Sequence, residues 1–400
     1  VGLLVLVVTA AVAHAADAPP RVFLHDAARL AEVQRLARAG DAALAPFAKL
    51  CRNEADKALE RGPWSVMDKE TTPPSGDKHD YMSLAPYWWP DPSKPDGLPF
   101  IRRDGEQHPD RNSLDYSPLR DMARAVSDLA MAWWVTAHEP YAARAALVLR
   151  RWFLDPATRM NPNLNFGQAI PGRVAGRGIG IIDTTALLDV VEGAGLLAGS
   201  EAWTDADQKA LEAWFAAYLK WLVESPLGRD EAAQKNNHGT WYNVQVMAYA
   251  LFARQDAAAR AAIDDARRCV DTQIEPDGRQ PLELARTKSW DYSAMNLRGM
   301  FDLATLAARL ETDLWRWRPD GGGDLRAALD YMLPYAADGK KWPHKQITTF
   351  NPQRVADSLR RAALVYAQPR YEAACRRALA DAKADWRLAL WRPAAAETGK

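Results

Sequence analysis

The chain has 400 residues, 48% of them hydrophobic and 26% charged, with 51 Lys and Arg balanced by 51 Asp and Glu. That length allows a large core in one domain or two, and the composition is ordinary for a globular protein. A formal net charge of zero and the lack of any long basic run argue against a nucleic-acid binder, so attraction for a polyanion would have to come from a local basic cleft. Cys51, Cys269 and Cys375 are widely spaced and form neither a disulfide framework nor a zinc pattern. The 16 tryptophans are many for this length; aromatic faces pack on sugar C–H surfaces, although most are expected to fill helix interfaces.

In chain order, Val1–Ala16 is an apolar run ending in Ala13-His14-Ala15, which has the hydrophobic region and small-residue cleavage site of a secretory signal but not its positively charged start. We expect 1–16 to be a signal peptide, the mature protein to be periplasmic or secreted from a bacterium, and no membrane association after its removal. Apolar spacing and alanine content predict helix over 21–61. Composition then changes. Gly62 to Pro118 is rich in Pro, Gly, Asp, Trp and Tyr, a long loop of the kind that is usually functional. It carries Lys78, Tyr81, Tyr87, Trp88, Trp89, Arg102 and Arg103, cations interleaved with aromatics that suit an anionic sugar chain. Helices are predicted over 119–138 and 140–154. A second glycine-rich stretch, 161–183, lacks the preceding strand and the Lys-Ser/Thr of a nucleotide loop, and instead offers Gln168, Arg173 and Arg177 to a ligand.

Further helices are predicted over 184–197, over 204–224 with Thr204 as cap, and over 241–254 and 257–273. After a break at 274–281, helices resume from about Tyr292, then over 325–336, 353–366 and 370–391. Between the last groups lies a basic, aromatic segment containing Lys340, Lys341, Trp342, His344 and Lys345. No run of alternating strands is evident. Helix pairs joined by uneven loops predict an all-α fold, an incomplete α/α toroid of antiparallel helix hairpins with its long loops forming a cleft at one end. Residues 17–400 would make one such domain.

Two stretches carry chemistry. In Lys235-Asn236-Asn237-His238-Gly239-Thr240-Trp241-Tyr242, two amides precede a histidine at the start of a helix, where a side chain is rigidly held yet can face a cleft. Amides can hydrogen-bond a carboxylate, and imidazole can move a proton. The same residues would also serve as a plain helix cap. In the second stretch, Arg286 and Tyr292 stand six apart: an arginine fork suits a carboxylate, and a phenol near a cation can accept or donate a proton. Structural alternatives are an ion pair of Arg286 with Glu283 and a core-facing ring for Tyr292. Together these groups suffice for β-elimination from a uronic acid. The H5 proton is very weakly acidic until hydrogen bonds and a cation neutralise the neighbouring carboxylate; a base then takes H5 and an acid protonates O4. In mannuronate or glucuronate, H5 and O4 share a face, so one tyrosine could do both. In guluronate they lie on opposite faces, and His238 and Tyr292 would divide the work.

The segments NNHGTWYNVQ, LELARTKSWDYS, SGDKHDYMSLAPYWWPDPSKPDGLP and RMNPNLNFGQAIPGRVAGRGIGIID resemble signature segments of the alginate lyase superfamily of α/α-toroid polysaccharide lyases. The resemblance runs from about Ser75 to Tyr292, more weakly to His344. It implies a lyase without metal or other cofactor, acting on mannuronate-type alginate or glucuronan. By the motifs, Asn237 and His238 are the carboxylate-binding and catalytic pair, Arg286 the neutralising arginine and Tyr292 the catalytic tyrosine; the 78–89 stretch is the substrate-covering loop. Gly239-Thr240 departs from the larger basic residue that follows the pair in the best-known members. Expected substrate contacts are Lys78, Tyr81, Trp88, Gln168, Arg173, Arg177, Trp241, Tyr242 and His344. Two other functions fit the fold: a glycoside hydrolase using Glu283 and Asp291, or a polyuronate-binding protein without catalysis. Scattered histidines and no spaced carboxylate cluster disfavour a metal site.

Overall fold

The computed structural model describes residues 19–390, so the expected signal sequence and Trp391 lie outside the described residues. The helices are α1 (Ala27–Arg38), α2 (Ala45–Leu59), α3 (Tyr116–Thr136), α4 (Glu139–Leu149), α5 (Leu187–Leu196), α6 (Asp205–Glu224), α7 (Pro226–Ala232) and α8 (Asn237–Phe252). They continue as α9 (Asp256–Ala261), α10 (Ile263–Gln273), α11 (Pro281–Leu284), α12 (Ser289–Ala308), α13 (Leu325–Ala337), α14 (Ala356–Val365), α15 (Pro369–Ala378) and α16 (Trp386–Leu390).

Two kinds of helix sort into two layers. The helices α3, α5, α8 and α12 are buried on nearly every face, which marks inner elements. They pack side by side, α3 on α5, α5 on α8 and α8 on α12. Helices with one apolar stripe lie outside them: α1, α2 and α4 on α3, α6 on α8, and α10 on α8 and α12. The result is the expected α/α toroid. One continuous apolar core runs from Val22 to Leu390. The last helix returns to the first layer: α16 packs on α2, and the Trp386 indole donates to Asp128 of α3 (2.8 Å).

Local chemistry sets the boundaries. The segment predicted as helix over 21–61 breaks at Gly40, whose φ of 78° ends α1, and restarts with Pro46 in the first turn of α2. Thr204 caps α6 as expected, in a reciprocal pair with Asp207. The 184–197 prediction misses a 3-10 stretch, Gly178–Ala186, ahead of α5. The 257–273 segment divides into α9 and α10.

The long loops are ordered, and they contain strands that no sequence pattern announced. These are β1 (Met82–Leu84), β2 (Trp88–Trp89), β3 (Ile101–Arg102) and β4 (Phe166–Ala169). β1 pairs in parallel with β4, and β2 antiparallel with β3. Strands of two to four residues are too short to show an alternation. The β1–β4 pairing ties the 62–118 loop to the 161–183 loop, and the β2–β3 pairing closes within the first loop. A buried ion pair, Lys69 to Asp115 at 3.0 Å, closes the base of the first loop.

Candidate active site

The site is assembled where α7, α8, α11 and the start of α12 meet. Asn236 caps α8 by accepting the His238 N–H (3.2 Å), so the cap falls on Asn236 and leaves the Asn237 and His238 side chains out of it. Gly239 is required by packing, since a Cβ there would collide with the Gln234 carbonyl oxygen. Thr240 is buried and donates to Gln273 (3.2 Å). The departure at 239–240 therefore belongs to the helix seat rather than to the cleft.

Each of the paired residues is held by a buried glutamate. Asn237 donates its backbone N–H to Glu283 Oε1 (2.7 Å) and its side-chain Nδ2 to both Glu283 oxygens (3.0 and 2.9 Å). Its Oδ1 is buried with no hydrogen-bond partner among the described residues. His238 Nδ1 lies 2.8 Å from Glu231 Oε1, and the imidazole side chain is 14% exposed. No hydrogen bond to its Nε2 is present among the described residues. Burial pushes both glutamates above the usual carboxylate range, while the His238 and Asn237 contacts pull them back.

Arg286 lies between α11 and α12, and Tyr292 in the first turn of α12. Arg286 Nη2 donates to the Tyr292 hydroxyl (2.9 Å) and to Asp104 Oδ1 (2.8 Å), and its guanidinium carbon sits 3.9 Å from the centre of the tyrosine ring. The ion pair of Arg286 is made with Asp104, not with Glu283 as the structural alternative had it. Burial works to raise the Asp104 carboxyl, but Arg286 and the Thr287 donors outweigh it and hold it well below the usual range. The Tyr292 hydroxyl donates to the Tyr87 hydroxyl (2.6 Å). Burial and that second phenol push the Tyr292 pKa well up, against the opposing pull of Arg286, so the resting side chain is a neutral phenol. The 287–289 segment is pinned from outside by the 345–347 segment, with Ser289 N bonded to Lys345 O and Ile347 N to Thr287 O (3.0 Å each).

The expected substrate contacts divide. Trp88 is half-buried with the exposed Arg173 stacked over it, 5.1 Å from guanidinium carbon to ring centre. Lys78 is half-buried at the loop. His344 is half-buried, its Nε2 2.6 Å from the Tyr331 hydroxyl, and burial lowers its pKa. It lines a cavity of about 730 Å³ with Tyr335, Lys340, Lys341 and Trp342. By contrast, Tyr81, Gln168, Trp241 and Tyr242 are buried, and this corrects the expectation that they touch substrate. The Tyr81 hydroxyl (3.1 Å), Ser83 Oγ (2.7 Å) and Gln168 Nε2 (2.9 Å) all donate to Asp183, and Arg177 donates to Gln168 (2.8 Å). That network fixes the β1–β4 wall from behind. The Tyr242 hydroxyl donates to the Leu222 carbonyl (3.0 Å).

A second cavity of about 580 Å³ is lined by Gln107, Lys288, Asp291, Thr348 and Arg354. Neither of these two cavities is lined by Tyr292 or His238; the 87–104 turns meet Tyr292 through Tyr87 and Arg286 through Asp104. The carboxylates a hydrolase would use are both engaged. Glu283 is 1% exposed and holds Asn237, and Asp291 accepts from Gln346 and Thr348 (3.1 Å each) and from Arg354 (3.2 Å). Among the described residues, no group of three or more His, Cys, Asp or Glu could hold a metal ion. Sequence reasoning gave no role to Asp104 or Glu231, and named Tyr87 only among the aromatics of the long loop. Tyr87 and Asp104 reach the site from 205 and 182 residues away along the chain, and no local pattern signals such contacts.

Comparison with known proteins identifies the family and the fold. The alginate lyase family model matches residues 65–342. The structure of an alginate lyase from Bacteroides ovatus is 41% identical, covers 89% of this chain and 95% of its own, and superposes with a TM-score of 0.85. Alginate lyase A1-III from Sphingomonas species A1 shares the fold at 14% identity, covering 82% of this chain and 88% of its own, with a TM-score of 0.52. A tyrosine-to-phenylalanine variant of A1-III, complexed with a tetrasaccharide, gives 14%, 88%, 90% and 0.54. No curated protein matches. With a family match over more than half of its length and a relative this similar across nearly the whole fold, the chain belongs to the alginate lyase family and is a polysaccharide lyase.

Proposed function

We propose that this lyase cleaves a 1,4-linked polyuronate, mannuronate-type alginate or glucuronan, by β-elimination, with Tyr292 acting at both H5 and O4. The observation that carries the reading is the Arg286–Tyr292 pair, a phenol with a guanidinium 2.9 Å from its oxygen, on the helix that packs against the one bearing Asn237 and His238. A phenolate formed there would be stabilised by Arg286 and could take H5; the resulting phenol could then protonate O4 on the same ring face. His238 and Arg286 would neutralise the uronate carboxylate and so stabilise the enolate-like transition state, while Asn237, whose buried side-chain Nδ2 is given to Glu283, would fix the start of α8 on which His238 sits. Trp88, Arg173, Lys78 and His344 would contact neighbouring sugars. The protein would work on an anionic polysaccharide after export. No described helix is long and apolar enough to cross a membrane.

Incubation with polymannuronate, polyguluronate and glucuronan in parallel, followed by the absorbance of unsaturated ends, tests this reading. Faster turnover of polymannuronate or glucuronan supports a single tyrosine serving one ring face. A strict preference for polyguluronate would contradict it and assign H5 to a different base.

A further inference from the structure

Behind His238 stands a carboxylate that the proposed elimination does not use. Glu231 is 1% exposed, and its Oε1 is 2.8 Å from His238 Nδ1. Its other oxygen, Oε2, is buried and has no hydrogen-bond partner among the described residues. A carboxylate accepting one hydrogen bond in a buried site is costly as a bare anion. Burial accordingly pushes Glu231 above the usual carboxylate range, and His238 pulls it back. The other charges that bear on the pair are Asp230 beside Glu231, Arg177 from the 161–183 loop, and Glu283 behind Asn237, which itself feels Arg286. With one proton held between the two residues, the pair carries no net charge. Without it, a net negative charge would face an incoming uronate carboxylate.

We propose that Glu231 is a positioning residue that shares one proton with His238 Nδ1, so that His238 keeps a hydrogen on Nε2 and presents it to the carboxylate of the bound uronate. The proton is either on the carboxyl, donating to Nδ1, or on Nδ1, donating to the carboxylate. Nε2 bears hydrogen in both arrangements, so both leave a donor facing the cleft. This assigns His238 to carboxylate neutralisation rather than to removal of H5. It rests on the reading of this site as that of a lyase.

The test compares wild-type protein, Glu231→Gln and Glu231→Asp by the pH profile of kcat/KM on alginate, with thermal melts to confirm folding. Glutamine donates an N–H to Nδ1 as the protonated carboxyl would, but cannot lose that hydrogen, so Nε2 keeps its own at every pH. The expected result is that the alkaline break set by loss of the shared proton disappears in Glu231→Gln or moves to higher pH by about a unit or more. Glu231→Asp, which can lose its proton, should restore the break. A folded Glu231→Gln protein whose alkaline limb superimposes on wild type overturns the proposal.

Should Glu231→Gln fail to fold, nitrogen-15 spectra of the wild-type imidazoles decide, with His238→Ala identifying the signal. A protonated Nε2 at neutral pH supports the shared proton, and a bare Nε2 with hydrogen on Nδ1 alone overturns it. Wild-type protein that released no unsaturated ends would instead sink the underlying lyase reading, a result distinct from either.

Discussion

Replacing Tyr292 by phenylalanine removes one oxygen and leaves the ring in place. That oxygen accepts from Arg286 (2.9 Å) and donates to Tyr87 (2.6 Å). Arg286 keeps its ion pair with Asp104 at 2.8 Å, so the change strands no charge. The stability cost is therefore that of two hydrogen bonds, about 2 kcal/mol, which for a chain of this size lowers Tm by roughly 4 °C or less. The cost to catalysis is larger. Loss of a general acid–base group is worth roughly 10²- to 10⁴-fold, or about 3–5 kcal/mol in the barrier. Initial rates of unsaturated-end formation should fall by that factor, while calorimetric binding of an alginate oligosaccharide persists, because none of the groups assigned to the carboxylate has been removed. Turnover close to wild type would take Tyr292 out of the mechanism. Loss of binding together with turnover would make it an anchor.

Arg286→Ala should lower kcat more than it raises KM, because its contacts strengthen as charge develops; steady-state kinetics that show only a higher KM would make Arg286 a passive binder. Gly239→Ala should destabilise the fold by about 1–3 kcal/mol in denaturant titration, since the added methyl meets the Gln234 carbonyl at the seat of α8, and an unchanged midpoint would refute that close contact. The raised pKa of Tyr292 also fixes a sign: the phenolate fraction grows with pH, so wild-type kcat/KM should rise from acid toward alkaline pH until a second group titrates. A profile that falls from acid to neutral pH would exclude Tyr292 as the base.

Much of this was legible in the chain because the informative signals are local. An amide cap, a histidine and an apolar run from Asn236 to Phe252 announce a buried helix that begins at the site. Thr204 and Asp207 mark the start of α6 in the same way. Arg286 and Tyr292 are near neighbours in sequence, so their pairing needs only one turn of chain. What the sequence hides is of two kinds. Tyr87 and Asp104 sit on turns that return over the site across most of the fold, a matter of loop packing rather than pattern. Tyr81, Trp241 and Tyr242 read as sugar contacts because an aromatic residue looks the same whether it lines a cleft or supports the wall behind it. Only burial separates the two: all three rings are buried, and the Tyr81 and Tyr242 hydroxyls bond to protein atoms. The glutamates behind Asn237 and His238 are ordinary surface-type residues in composition, and they become informative only once their burial is seen.

The central claim is elimination, and the ratio of two product signals tests it most directly. Alginate is digested with chelator present, and unsaturated ends by absorbance and new reducing ends by colorimetry are counted in the same samples. The account predicts that the two rise together, one unsaturated end for each bond broken, and that the chelator changes neither. Reducing ends that accumulate without absorbance would show hydrolysis, and would contradict the roles assigned to Tyr292, Arg286, Asn237 and His238.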